Sequence, residues 1–571
     1  MRAISFFTCC LIVLSMTVEL AMGIKLSFEW EVTKMLWSPD GVSGSLLAIN
    51  GQFPGPTINA STGDNIVVKL TNGLESEGLT IHWHGIRQLG TPWADGASNI
   101  SQCPIESGNT YTYNFIVDKA GTYFYHGHYQ MIRTGGLYGM LIVNDVDEKT
   151  KIKQNYDGEL SLLLSDWWHT SYKKQEVDLA SKPMIWVGEP PSLLINGRGQ
   201  YNCSLAASVS KSSTIKPQCN FSGNEQYAPD ILYVEPNKTY RLRIASSTSL
   251  ASLSFAVGNH KLRVVEADGN LVEHFDVDSL YIYPGQTYSV LLNTNQSPNT
   301  SHWVSVDVIG RNPNTTQGLT VLTYYDNSTS IYDHLPTSPP PVPPVWNDTV
   351  SSKSFANKIF ALEGSPTPPP NSDKIIQLLN TQNLIDGYTK WAINDRSLVL
   401  PSTPYLASIK YNKTNVIESP PESFNTSIDI TIPPVNPNVS YTSGAYKLSY
   451  NETVDIILQN ANALKANVSE VHPWHLHGHD FWVLGYGQGM FNYEKDKASL
   501  NLNNPPYRHT VALFPNGWTA LRFVADNPGA WAFHCHIEPH TEMGMGVVFL
   551  EGVDKIGDNI PGDGLQCAPK G

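Results

Sequence analysis

The chain has 571 residues, 41% hydrophobic and 15% charged, with 37 basic side chains against 51 acidic ones. That length divides into two to four cores rather than one, and a net charge of −14 excludes the phosphate-neutralising surface that nucleic-acid binding needs. The same sign gives an anionic small molecule no long-range attraction, so such a substrate would need a local cation.

The N-terminal stretch MRAISFFTCCLIVLSMTVELAMG has Arg2, an apolar run from Ile4 to about Val18 and small residues at Ala21–Gly23. This is the pattern of a secretory leader over residues 1–23, and no later apolar run is long enough to span a bilayer. A secreted, extracellular chain with no membrane segment in its mature form is the expectation. About fifteen Asn-x-Ser/Thr sequons, among them Asn99, Asn202, Asn237, Asn425 and Asn467, are then candidate glycan acceptors. Of the seven cysteines, Cys9 and Cys10 leave with the leader. The odd number remaining in an oxidising compartment sets one thiol apart, and Cys535 is the candidate. Cys203–Cys219 is then the local disulfide, and Cys103–Cys567 ties the first domain to the C-terminal tail.

Short β-branched and aromatic runs such as NIVVKLTNG and LYGMLIVND, punctuated by Gly, Pro and Asn, predict an all-β chain of sandwiches or barrels. Two elements recur three times. One reads LLAINGQ near Asn50, SLLINGRGQ near Asn196 and KWAIND near Asn394. The other opens Gly-x-Thr at Gly108, Gly285 and Gly517 and runs through two strands; only its first and third copies end in His-x-His. Three related β-domains follow, spanning 24–150, 151–333 and 347–553, with metal chemistry in the outer two. The proline-rich HLPTSPPPVPPVW (334–346) is a semi-rigid linker, and 554–571 is a tail.

The His-x-His pairs are His82/His84, His126/His128, His475/His477 and His534/His536. Residues i and i+2 of a strand face one side, so each pair presents two imidazoles in one direction. Cys535, between the last two, faces the other way. One strand thus serves two metal centres. His472 has opposite parity to His475 and His477 and can join Cys535. Pro539 and the Gly544/Gly546 pair end the strand, so a loop can wrap His540 and Met545 around the same metal. Two imidazoles, a thiolate and a weak thioether describe a blue-copper site. The eight imidazoles opposite suit three further copper ions between the first and third domains. Zinc is the rival, but it cannot change oxidation state. Asp95 in PWADG and Glu538, two beyond His536, are proton-relay candidates for reduction of O2 to water. His169, His260, His274, His302, His334, His479 and His509 are not assigned to metal.

These motifs, together with LLLSDWWHTS, KPMIWVGEPPSLLINGRGQ, LLNTQNLIDGYTKWAIND and NPGAWAFHCHIEPHTEMGMGVVF, resemble the multicopper oxidases of three cupredoxin domains, and within them the plant ascorbate-oxidising group. The resemblance covers essentially the whole mature chain. It implies Greek-key cupredoxin domains and four coppers. His472, Cys535, His540 and Met545 would hold type 1, and His82 and His475 type 2. His84, His126 and His536 would hold one type 3 ion, and His128, His477 and His534 the other. It implies an ascorbate pocket of Trp186, Arg311, Gln382, Trp391 and His540, with two indoles stacking on the ring and Arg311 as the local cation. Ascorbate and O2 would be the small-molecule partners, in the apoplast or cell wall, and a homodimer is open. Two departures stand out. A further family disulfide is missing, its positions falling in WSPDGVSG (Trp37–Gly44) and GNEQYAPDI (Gly223–Ile231), and HYQMIRTGG and PYRHT depart from the expected pattern. The alternatives are a laccase-type phenol oxidase with the same coppers and a cell-wall structural protein on a cupredoxin scaffold.

Overall fold

A computed structural model describes residues 23–145, 152, 155–201, 231–312, 315–324, 336–434, 436–556 and 559–567. The leader up to residue 22, Asn202, the Cys203–Cys219 pairing and His334 lie outside the described residues. No helix among the described residues is long and apolar enough to cross a membrane.

Alternation makes the strands. In Asn65–Asn72 the side chains of Ile66, Val68 and Leu70 are fully buried while Lys69 is exposed, the period of two that one buried sheet face demands. Six sheets result, in three pairs. In the first pair, Gly44–Ile49, Lys25–Trp37, Asn65–Asn72 and Thr110–Ile116 form one sheet. Ile58–Ser61, Tyr138–Asn144, Gly121–Gly127 and Ile81–His84 form the other. Trp30, Val32 and Val68 of one sheet share a buried cluster with Ile58, Trp83 and Leu141 of the other. The second pair has six and five strands between Gly158 and Tyr324, and the third eight and five between Lys374 and Glu551. In every pair the first long strand lies parallel to its neighbour: Lys25–Trp37 beside Asn65–Asn72, Gly158–Trp167 beside Thr239–Ser246, and Lys374–Ile385 beside Thr453–Asn460. A meander cannot place neighbours parallel, because a hairpin reverses the chain. The chain is all-β, built of cupredoxin-like sandwiches.

The recurrent Ile-Asn motif has a physical cause. Asn50, Asn196 and Asn394 sit at φ 52°, 52° and 48° in tight turns, a conformation that Asn tolerates. Each side-chain amide reaches back to the long strand before it. Oδ1 accepts from the N–H of Glu31, Leu163 or Leu379 at 2.7–2.9 Å, and Nδ2 donates to the carbonyl of Glu29, Ser161 or Gln377. The repeat therefore preserves a clamp on a strand.

Cys103 and Cys567 are disulfide-bonded, with Cα atoms 5.3 Å apart. Within Trp37–Gly44, Asp40 is the tether. It is 1% exposed and accepts from Ser192 Oγ at 2.6 Å, His169 Nε2 at 2.7 Å and Val42 N–H at 3.1 Å. The Tyr201 N–H donates to the Asp40 carbonyl. One buried carboxylate thus fastens this loop to the second sandwich.

Asn99 corrects a glycan expectation. It is 8% exposed, and its Nδ2 donates to the Pro401 carbonyl at 2.7 Å. The amide nitrogen a glycan would need is engaged inside the protein, whereas Asn237, Asn425 and Asn467 are exposed.

Candidate metal centres

Register assembles the site. Ile81–His84 pairs antiparallel with Gly121–Gly127, setting His82 opposite His126. His472–Leu476 pairs with Gly529–Cys535, setting His475 opposite His534 and Trp474 opposite Cys535. His128, His477 and His536 lie just past the strand ends. A short helix, Glu538–Glu542, opens with Pro539 in its first turn and turns His540 back toward Cys535.

Two donor groups result. In the first, Cys535 Sγ lies 3.8 Å from His472 Nδ1 and 3.7 Å from His540 Nδ1. Met545 is fully buried in the same cluster as Cys535; its N–H donates to the His540 carbonyl and its carbonyl accepts from the Cys535 N–H. The strand Tyr388–Ile393 braces this loop, with the Trp391 N–H donating to the Met543 carbonyl at 2.9 Å. The second group is eight imidazoles converging as His82/His84/His475, His84/His126/His536 and His128/His477/His534, with donor atoms within 4.8 Å of one another in each set.

The tautomers test whether cations fit. A carbonyl or carboxylate oxygen can only accept. His82 Nδ1 faces the Asp95 carbonyl, His475 Nδ1 the His509 carbonyl, His477 Nδ1 the Asp95 carboxylate and His534 Nδ1 the Cys535 carbonyl, all at 2.8–3.0 Å. Each Nδ1 therefore carries the hydrogen and each Nε2 a lone pair. Yet Nε2 of His82 lies 3.3 Å from Nε2 of His475, and Nε2 of His477 lies 3.1 Å from Nε2 of His534. Lone pairs aimed at each other need a cation between them. Burial and neighbouring imidazoles disfavour a proton there, holding His475 and His477 well below the usual range, and burial brings His534 down to about 4. Copper fits the donor set. In the first group burial pushes the Cys535 thiol up and His472 down to about 3, so a bound cation is what would draw the thiol into its thiolate form.

His84 is reversed. Its Nε2 donates to the Gly285 carbonyl at 2.7 Å, leaving Nδ1 as the buried, unpartnered acceptor. Gly285 belongs to the middle sandwich. Its φ is +83°, and a Cβ there would stand 2.7 Å from the His536 ring. The domain without His-x-His thus fixes one imidazole's tautomer and packs on another.

Asp95 is fully buried, its carboxylate 2.9 Å from His477 Nδ1 and 3.2 Å from His82 Nδ1. Glu538 is buried beside the cluster and accepts from Thr134 N–H at 2.7 Å, Thr134 Oγ1 at 2.5 Å and Arg133 N–H at 3.0 Å. Burial pushes its carboxyl up against the opposing pull of Arg133 and Thr134. A cavity of about 340 Å³ is lined by His126, His128, His534, Glu538 and Thr541. His479 and His509 serve the scaffold. His479 Nε2 lies 3.1 Å from Glu551, and the His509 ring packs on those of His84 and His475.

Of the residues expected to bind substrate, Trp186 and Trp391 flank His540, with two corrections. Trp186 lies 5.9 Å and Trp391 5.0 Å from the His540 ring, centroid to centroid. Trp391 is 2% exposed and packs on the His472 ring at 4.9 Å. It closes over the imidazoles instead of offering a stacking face, and Trp186 alone of the two is partly open. Arg311 is not a free cation. Its Nε donates to Glu189 at 2.9 Å and its Nη1 to Glu470 at 2.7 Å, beneath the Trp186 ring. Glu470 Oε2 is also 3.7 Å from His540 Nε2. Gln382 pairs across strands with Trp391 and accepts from the Leu464 N–H. Sequence reading passed over Glu189, Glu470 and Arg133. Glu470 had a signal, since it stands two residues before His472 and shares its parity.

Family models described as multicopper oxidase match residues 31–148, 158–327 and 409–555. The chain is 60% identical over 546 residues to an L-ascorbate oxidase of Nicotiana tabacum, covering 95% of this chain and 93% of that one. It is 33% identical over 538 residues to laccase-12 of Arabidopsis thaliana, covering 88% of each. Among solved structures, a laccase from Botrytis aclada superposes with a TM-score of 0.74 at 29% identity, over 94% of this chain and 89% of that one.

Proposed function

The chain belongs to the multicopper oxidase family, and on that premise we propose that it is a copper-dependent oxidoreductase that oxidises ascorbate with dioxygen as the acceptor. Its relatives at 57–60% identity carry the name L-ascorbate oxidase, and the laccases stand at 32–34%. The observation that carries the reading is the sequence His534-Cys535-His536, in which three consecutive residues supply a thiol to one donor group and two imidazoles to the other.

His472, Cys535, His540 and Met545 would hold one copper, and the eight imidazoles three more, His82 and His475 one ion and the two triads one each. Copper supplies reversible one-electron chemistry, and four electrons with four protons turn dioxygen into two waters. The protein's own groups do the rest. His540 turns Nδ1 to the sulfur and leaves Nε2 toward Glu470 and the pocket mouth. Each electron taken from the ascorbate monoanion breaks one O–H bond, and Glu470 is placed to accept that proton. Arg311, held by two carboxylates, orients Glu470 and offsets one of the two negative charges that would otherwise face an anionic ring. Asp95 keeps the His82 and His477 lone pairs inward. Asp95 and Glu538 bring protons toward the cluster. The leader and the exposed sequons support a secreted, glycosylated enzyme of the plant apoplast.

The test is an absorption spectrum of the purified protein before and after ascorbate under air. An intense blue band bleached by ascorbate and restored by oxygen is the expected result, absent in Cys535→Ser. A neutral diphenol oxidised faster than ascorbate would instead make the protein a laccase-type phenol oxidase.

A further inference from the structure

Thr541 follows His540 in the helix Glu538–Glu542. A helical threonine ordinarily returns its hydroxyl to the carbonyl four residues back. That contact is present but long, 3.2 Å to the Ile537 carbonyl. The short contact goes elsewhere: Oγ1 donates to the Cys535 carbonyl at 2.5 Å. The same oxygen accepts the His534 Nδ1–H at 3.0 Å, and that Nδ1 also lies 3.3 Å from Thr541 Oγ1.

Two donors therefore converge on the one carbonyl that connects the groups. The carbonyl belongs to the residue bearing the thiol, and the imidazole on it belongs to the cluster. The carbonyl oxygen has a lone pair for each donor, but each donation drains the density the other uses. The hydroxyl oxygen also draws on the His534 N–H. Both effects have one sign: they weaken the hydrogen bond from His534 to Cys535.

We infer that Thr541 is a positioning residue that attenuates the hydrogen-bonded link between the sulfur-bearing residue and the cluster imidazole, and so restrains the passage of electrons inward. The inference rests on the copper reading above. With copper bound as proposed, the residues it acts on, Cys535 and His534, would carry one electron at a time between the two donor groups, with no bond broken and no proton moved.

The experiment compares holoenzyme with Thr541→Val, Thr541→Ala and Thr541→Ser. After one-electron reduction without oxygen, the return of blue absorbance times the inward electron. Both hydroxyl-free variants should return about 1.2- to 1.7-fold faster, the scale expected when one hydrogen bond strengthens by about 10–30%. Ser should match the parent. In fully reduced, diamagnetic protein the His534 Nδ1–H proton resonance should move downfield in Val and Ala and stay put in Ser. With copper content and blue absorbance intact, an equal or slower return in Val and Ala, or an unmoved resonance, overturns this inference alone. A parent protein lacking copper overturns the copper reading and this inference with it.

Discussion

Replacing Asp95 with Asn separates charge from shape at the imidazole cluster. The His82 Nδ1–H keeps its bond to the residue's backbone carbonyl at 2.8 Å, and an Asn Oδ1 can still accept from His477 Nδ1, now 2.9 Å from the carboxylate. Geometry and copper content should therefore survive. What disappears is a negative charge touching two imidazoles at a site with no solvent exposure. A hydrogen bond to a charged group contributes about 1 kcal/mol more than a neutral one. Only the His477 N–H makes such a bond to the carboxylate, which amounts to about 1 kcal/mol, or roughly fivefold in rate if it matters in the transition state. The assay has two halves. Bleaching of the blue band by ascorbate without oxygen should be unchanged, because Asp95 lies away from His540. Recovery of the band on admitting oxygen should slow by about that factor. Asp95→Ala, which leaves the His477 N–H without an acceptor, should instead lose copper, by about 10- to 100-fold in affinity. An Asn variant with full copper and parent-like recovery would refute a role for this carboxylate in oxygen reduction.

Other outcomes follow from the same geometry. Arg311→Ala releases Glu189 and Glu470 together and should lower kcat/KM for ascorbate more than for a neutral diphenol; equal losses would dissolve the pocket assignment. Asp40→Asn should lower the thermal midpoint without touching the blue band, at a cost of about 1–3 kcal/mol for a buried carboxylate hub; an unchanged midpoint would show that the loop is held by other contacts. Peptide mapping by mass spectrometry should find Asn99 unmodified; a glycan there would contradict the buried amide. For copper-free protein the pH dependence has a definite sign. The fold holds His472 and His534 neutral down to about 3 and 4, chiefly through burial, whereas the unfolded chain protonates them near the ordinary value of about 6.5. The unfolded state gains protons first as pH falls, so stability should drop from about pH 6.5 toward 4. Thermal scans of chelated protein at pH 7 and 5 measure it, and a midpoint that rises on acidification would refute the sign.

How far the sequence reaches is set by how local each cause is. The period-two rule needs only neighbouring residues, so the strands and the opposite faces of Cys535 and its flanking histidines are readable without coordinates. The reversed tautomer of His84 is not, because it depends on a carbonyl 201 residues away in a domain with no ligand motif. The state of Arg311 is hidden for the same reason, with its carboxylates 122 and 159 residues distant. Trp391 shows the limit of residue type: an indole beside a histidine suggests stacking, and only packing reveals that its faces are covered. Asn99 fits the sequon, and the fold removes it through a contact with Pro401, 302 residues on. Glu470 alone among the unread residues was within reach, by its parity with His472.

Diffraction from crystals of fully active protein, recorded on both sides of the copper absorption edge, tests the central claim most directly. The account predicts four anomalous peaks, one amid Cys535, His472 and His540 and three among the eight imidazoles. Zinc at the sulfur, or no metal there, in protein that still turns over ascorbate would contradict it.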